Sequence, residues 1–140
     1  MDSRGNIYVI LRRNKLLYYD QEKGVFSEKN LPIQIPVDYH PNTLFEDTQT
    51  GYFWIGCEEG LAVFDFYAGK TYHKGNNPLH LPFLDDPNLV QVADYFIDKS
   101  RNHWLVFWNP HQRFGSFNER SENYSPGAMT LETITLDPIC

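Results

Sequence analysis

A segment of about fifty residues recurs along this chain, and that recurrence constrains the fold more than any other feature. The clearest copy runs from Asp47 to Asp65, D-T-Q-T-G-Y-F-W-I-G-C-E-E-G-L-A-V-F-D. Residues 47–51 carry turn chemistry, 52–56 form an aromatic and β-branched run, Glu58-Glu59-Gly60 turns again, and 61–64 is a second apolar run closed by Asp65. Short runs of that kind bounded by Gly and Asp are hairpin signals. A first copy reads turn 2–6, strand 7–11, turn 12–15, strand 16–19 ending at Asp20, and outer strand from Val25. A third reads lead-in strand 90–97 ending at Asp98, strand 103–107, turn 108–111, strand 112–117 ending at Asn118, and outer strand at Asn123-Tyr124. Asp2, Asp47 and Asp98 are equivalent, as are Tyr8, Trp54 and Trp104, and Asp20, Asp65 and Asn118.

Each copy therefore predicts four short strands in up-and-down order, and no stretch of helical length shows a helical period. The expected fold is all-β: a partial β-propeller of about three four-stranded antiparallel blades plus the first strand of a fourth. The blades fall at about 1–41, 42–88 and 89–128, and the alternating stretch 131–136 before Asp137 opens the next, at 129–140. A blade cannot bury both faces alone, so the Tyr8/Trp54/Trp104 position is expected to pack between blades. Propellers close with about four to eight blades. Three leave open faces, so the chain is expected to be a piece of something longer and, in isolation, to self-associate.

Composition removes several function classes. The formal charge of -6, with no Lys/Arg cluster beyond Arg12-Arg13, disfavours a phosphate backbone as partner. No apolar run is long enough to span a bilayer, and the polar N-terminus has no signal-peptide core. Cys57 and Cys140 make no disulfide framework, and Cys57 reads as a buried thiol. There is no G-x-S-x-G, no H-E-x-x-H and no calcium-loop spacing, so no catalytic residue, metal or cofactor is expected.

The pattern Asp47…Trp54-Ile55-Gly56…Gly60-Leu61…Phe64-Asp65 resembles the two-component regulator propeller repeat, with Cys57 where that family carries Thr. The first copy keeps Asp2, Gly5, Tyr8 and Tyr19-Asp20; the third keeps Asp98, Trp104-Leu105 and Phe117-Asn118 but lacks both glycines. The resemblance implies the periplasmic sensor region of a bacterial hybrid sensor histidine kinase, anchored in the membrane through its parent chain. It further implies a dimeric receptor, the remaining blades as partners, and an oligosaccharide as ligand. Alternatives are a protein-interaction scaffold or a fragment of a propeller glycosidase or lyase.

In such a meander the second-to-third turns and the fourth-to-first connections share one end, which collects the long segments 27–41, 74–88 and 125–129. Loops on a rigid scaffold are where binding usually sits. The candidate ligand contacts there are Trp108, Asn109 and His111, an aromatic face beside amide and imidazole groups, with Glu58 and Glu59 as acceptors. His40 and His80 read as plain loop residues. Asp47, Trp54, Gly56, Gly60, Asp65, Asp98 and Trp104 read as scaffold, and the opposite end, with its tight turns, as structural.

Overall fold

The computed structural model describes residues 1–11, 15–108 and 110–129. Three antiparallel sheets follow one another along the chain, with no helix among these residues. The first holds β1 (Tyr8–Leu11), β2 (Lys15–Asp20) and β3 (Val25–Ser27). The second holds β4 (Pro41–Asp47), β5 (Tyr52–Cys57), β6 (Leu61–Asp65) and β7 (Lys70–Tyr72). The third holds β8 (Val92–Ile97), β9 (Asn102–Trp108), β10 (Gln112–Asn118) and β11 (Asn123–Met129). Within each sheet the strands pair in chain order, as an up-and-down meander requires.

One expectation is corrected. The first sheet has three strands, not four. Residues ahead of β1 close a turn, with Asp2 N donating to Asn6 O at 2.8 Å and Gly5 N to Asp2 O at 3.1 Å. The strand expected over 131–136 lies outside the described residues, as do residues 12–14 and 109.

The turns repeat the same chemistry. Asp98 Oδ1 accepts from Ser100 N and Asn102 N, each at 2.9 Å, and Asp2 Oδ1 accepts from Arg4 N and Asn6 N. Asp20 and Asp65 each accept two backbone N–H bonds at the other class of turn. A carboxylate bonding its own backbone offers the chain a ready-made turn. The bonds, led by that from the Asn102 amide, lower the Asp98 carboxyl to about 2.

Side-chain alternation explains how the sheets stack. In the second sheet Phe53, Ile55, Cys57, Ala62 and Phe64 face the first sheet, and Trp54, Leu61 and Val63 face the third. Both faces are covered, so β5 is buried from Phe53 to Cys57. Fully burying one such aromatic or aliphatic side chain contributes about 1.5–3 kcal/mol. The third sheet is covered on one face only: His103, Leu105 and Phe107 are buried, whereas Trp104 is 37% and Phe96 53% exposed. Tyr8 meets Phe53 edge-on with a centroid distance of 6.3 Å, and Trp54 stacks on Tyr95 at 5.0 Å. The repeated aromatic of one sheet thus packs on the next sheet, and Trp104 occupies that position on the open face.

Two details set the spacing of the second and third sheets. A Cβ on Gly56 would stand 2.6 Å from Thr43 Cγ2 and 2.8 Å from Val92 Cγ1, so only glycine lets β8 approach β5 this closely. The connections between sheets also enter the core. Ile33 is buried against the first two sheets, and Phe83, Leu84 and Leu89 are buried between the second and third.

Candidate functional site

The polar groups converge at the seam between the second and third sheets, at the tight-turn end. His103 follows Asn102 at the start of β9 and occupies the repeat position that Phe53 fills in β5. It is 1% exposed, packed edge-on against Trp54 and Tyr95. Its Nδ1 accepts from the Tyr95 hydroxyl and its Nε2–H donates to Glu119 Oε1 at 2.6 Å. Those two bonds suit a neutral imidazole protonated on Nε2. Burial lowers the His103 pKa, and the Glu119 carboxylate restores only part of it.

Glu119 in turn receives Arg101 through Nε at 3.1 Å and Nη2 at 3.0 Å. The same guanidinium reaches the second sheet, where Nη1 and Nη2 donate to Asp47 Oδ1 and Oδ2 at 2.9 and 2.5 Å. This forked pair matches guanidinium to carboxylate geometry. Asp47 is buried, which pushes its carboxyl up, but bonds from Arg101 and Thr50 outweigh burial and hold it below the usual value. Glu119 behaves alike: burial raises it, and Arg101 and His103 bring it lower. The chain Tyr95–His103–Glu119–Arg101–Asp47 therefore clamps two sheets through one guanidinium.

Beside this chain lies a cavity of about 570 Å³. Trp54, Tyr52 and Phe117 contribute aromatic wall, Leu79 to Pro82 cover it, and Asp47, Glu119 and Glu122 stand at the polar side. The tight-turn end, expected to be structural, thus contains a cavity with both aromatic and acidic lining. The physical reason is the path of the 74–88 connection. It folds back after the short β7, places Leu79–Pro82 over the seam, and then buries Phe83 and Leu84 beneath it.

Chemically, the groups of this arrangement are engaged with one another. The Tyr95 hydroxyl is sealed in the core and its pKa is driven far up by burial, so it offers no nucleophile. His103 has both ring nitrogens engaged. Among the described residues no group of three His, Cys, Asp or Glu side chains is placed to hold a metal ion. Cys57 is a buried free thiol whose pKa is pushed up by burial, the opposite of a reactive thiolate.

At the loop-rich end the structure brings together some of the residues singled out in the sequence. Glu58 and Trp108 line a shallow hollow of about 450 Å³ with Asn42, Gln91 and Ala93. Gln91 N donates to Glu58 O at 2.7 Å and Trp108 N to Gln91 O at 3.2 Å, so backbone bonds fix that rim. Trp108 is 46% exposed. Glu59 does not join them. Its carboxylate accepts from His40 N at 2.8 Å and pairs with His40 Nδ1, and the Glu59 bond raises the His40 pKa. His111 is exposed beyond the hollow, and Asn109 lies outside the described residues.

No family model matches the chain, and no curated protein matches it by sequence. Among solved structures it is similar to the extracellular domain of the hybrid two-component system BT3049 from B. thetaiotaomicron. The likeness is one of fold. The TM-score is 0.61 at 18% identity, over 96% of this chain and 17% of that one. The chain thus spans about a sixth of the length of that extracellular domain, and the three successive antiparallel sheets are the part the two have in common.

Sequence reasoning missed Arg101, His103 and Glu119. Arg101 reads as a turn residue. It stands where the first two copies have Gly5 and Gly51, and it keeps their left-handed backbone, at φ 63° against 85° and 77°. A charged residue in a glycine position was the available signal.

Proposed function

We propose that the three sheets are consecutive blades of a β-propeller and that the chain is a non-catalytic ligand-sensing segment of a two-component signalling receptor. The observation that carries this reading is the likeness, over 96% of the chain, to an extracellular domain of a hybrid two-component system. The repeated aromatic packing supports the blade reading, because Tyr8 and Trp54 each close onto the following sheet and Trp104 presents the same surface outward. Further blades of the parent chain are the natural cover for that surface. No helix among the described residues is long and apolar enough to cross a membrane. In this reading the segment sits in the periplasm and is tethered through its parent, which works as a dimer.

The ligand class we assign is an oligosaccharide, taken at the loop-rich end. Trp108 supplies an exposed aromatic face there, and Glu58 shares its hollow. Asn109, His111 and Glu59 flank these two in sequence and complete the proposed contact set. The test is calorimetric titration of the full-length protein carrying this segment against an oligosaccharide panel, with Trp108→Ala alongside. Saturable binding weakened at least about tenfold by the substitution is expected, the loss of one stacked aromatic. Unchanged affinity in the variant moves the site elsewhere, and no binding across the panel removes the ligand class.

A further inference from the structure

We propose that the free edge of β1 is a strand-binding site and that its occupant is residues 131–136 of a second copy of this chain. The inference does not rest on the receptor reading or on a ligand at the loop-rich end. It starts from what the first sheet lacks. In the second and third sheets a lead-in strand, β4 or β8, pairs with the strand that carries the repeated aromatic. In the first sheet that strand is β1, and among the described residues only β2 pairs with it. Ile7 O accepts from Tyr19 N at 3.0 Å on the β2 side. Backbone groups alternate in direction along an antiparallel strand, so Tyr8 and Ile10 turn theirs to the other edge. An edge of that kind is a template for another strand.

The place beside this edge has room for one. A hollow of about 300 Å³ lies between Tyr8 and Ile10 of β1 and Thr43, Leu44 and Glu46 of β4, with Phe53 of β5 in its lining. One seam further on, the corresponding place is filled by β4 itself, which lies along β8. There Phe45 meets the Tyr95 and Phe96 rings at 6.2 and 5.9 Å, and Asn42 Nδ2 donates to Val92 O at 3.1 Å.

The ligand that fits is an extended peptide, and the chain carries one of the right pattern. Leu131-Glu132-Thr133-Ile134-Thr135-Leu136 alternates and runs into Asp137, as 41–46 runs into Asp47 and 92–97 into Asp98. Phe45 pairs with Trp54 and Phe96 with Trp104, and each stands two residues before its aspartate. The same register sets Thr135 opposite Tyr8, Ile134 opposite Val9 and Thr133 opposite Ile10. Thr133 and Thr135 then present short side chains to the hollow, and Ile134 and Leu136 extend the apolar face of Val9 and Ile7. Reach decides which copy donates the strand. Met129 pairs with Phe114 in the third sheet, and one residue separates it from Leu131. A residue spans at most about 3.6 Å, whereas stacked sheets lie about 10 Å apart. The second sheet stands between the third sheet and β1, so the segment does not reach that edge in its own chain.

The experiment is size exclusion with light scattering on the 140-residue chain, over a concentration series, with thiols kept reduced so that Cys140 links no copies. Concentration-dependent association is expected. Thr135→Pro removes the N–H that the register aims at Tyr8, and Ile10→Pro removes one from the free edge while leaving the bonds between β1 and β2 in place. Each variant alone should associate at least about tenfold more weakly. Mixed, the two should recover a one-to-one complex, because the intact segment of Ile10→Pro meets the intact edge of Thr135→Pro. A peptide of residues 130–138 should dissociate the wild-type assembly, and the same peptide with Thr135→Pro should not, a readout that holds whether or not the variants fold. A monomer at every concentration, association that survives both substitutions and so belongs to the open face of Trp104, no recovery on mixing folded variants, or a peptide without effect would overturn the proposal.

Discussion

Phe53 and His103 occupy the same position of the repeat, one facing the seam between the first and second sheets, the other the seam between the second and third. Around Phe53 the seam is apolar, built with Leu16, Ile33, Ile55 and Phe64, and at its edge Arg4 lies 3.5 Å over the Phe66 ring. Around His103 the apolar residues remain, but a polar chain runs through them from Tyr95 to Asp47. The first seam depends on area removed from water and tolerates exchange of similar shapes. The second depends on partners that cannot be removed singly, because each leaves a buried group unpaired. That dependence makes the second seam directional, and it is the seam that holds the large cavity.

The comparison can be broken most directly at Arg101. Arg101→Ala strands the buried Asp47 carboxylate and is expected to cost about 3 kcal/mol, read from the urea midpoint. Arg4→Ala at the first seam removes an exposed cation–ring contact and should cost no more than about 1 kcal/mol. Equal costs would remove the distinction between the seams. Next comes Gly56→Val, which forces β8 away from β5 and should destabilise by about 2 kcal/mol through overpacking. Gly69→Ala has open space around it and meets only the backbone penalty of about 1 kcal/mol.

His103→Phe makes the second seam resemble the first. It leaves Tyr95 and Glu119 each short of a partner and should cost about 1–2 kcal/mol near neutral pH. Its sharper signature is in pH. The folded state holds the His103 pKa below its ordinary value, so the unfolded chain binds a proton first. Stability should therefore fall as pH drops through the ordinary histidine value of about 6.5 towards the lower folded value. That loss should be absent in His103→Phe, as denaturation series at pH 7.5 and 5.5 would record. His40 carries the opposite sign: its raised pKa gives stability that is present at low pH and lost as pH rises through the folded value. The smallest effect is Glu122→Gly, expected to stabilise by about 1 kcal/mol by relieving a left-handed glutamate, with melting temperature as the measure.

Much of the fold was legible because it is written in short-range chemistry. Turn aspartates, glycines at positive φ and alternating apolar runs give an all-β succession of meanders, and three antiparallel sheets are what the chain forms. The strand count of the first sheet was over-read: the turn at 2–6 and three strands were legible in the first copy, and the fourth strand was carried over from the other two copies. The seam site was not legible. Tyr95, His103 and Glu119 lie on β8, on β9 and after β10, and Arg101 pairs with Asp47 at a separation of 54 residues, beyond what a local pattern encodes. The 74–88 connection misled for the same reason: its prolines mark a loop, and nothing local says that Phe83 turns inward while Leu79–Pro82 cover a cavity.

By itself the sequence determined the local order: which residues turn, which extend, and which side of each strand is apolar. The tertiary structure decided which copies of the repeated position meet, because stacking sheets brings residues half a hundred positions apart within hydrogen-bond reach. It turned one substitution of glycine, Arg101, into a clamp and left another, Glu122, exposed to solvent at the turn after β10. A turn charge in water has almost no structural value, and the same charge beside a desolvated partner decides how two sheets are held.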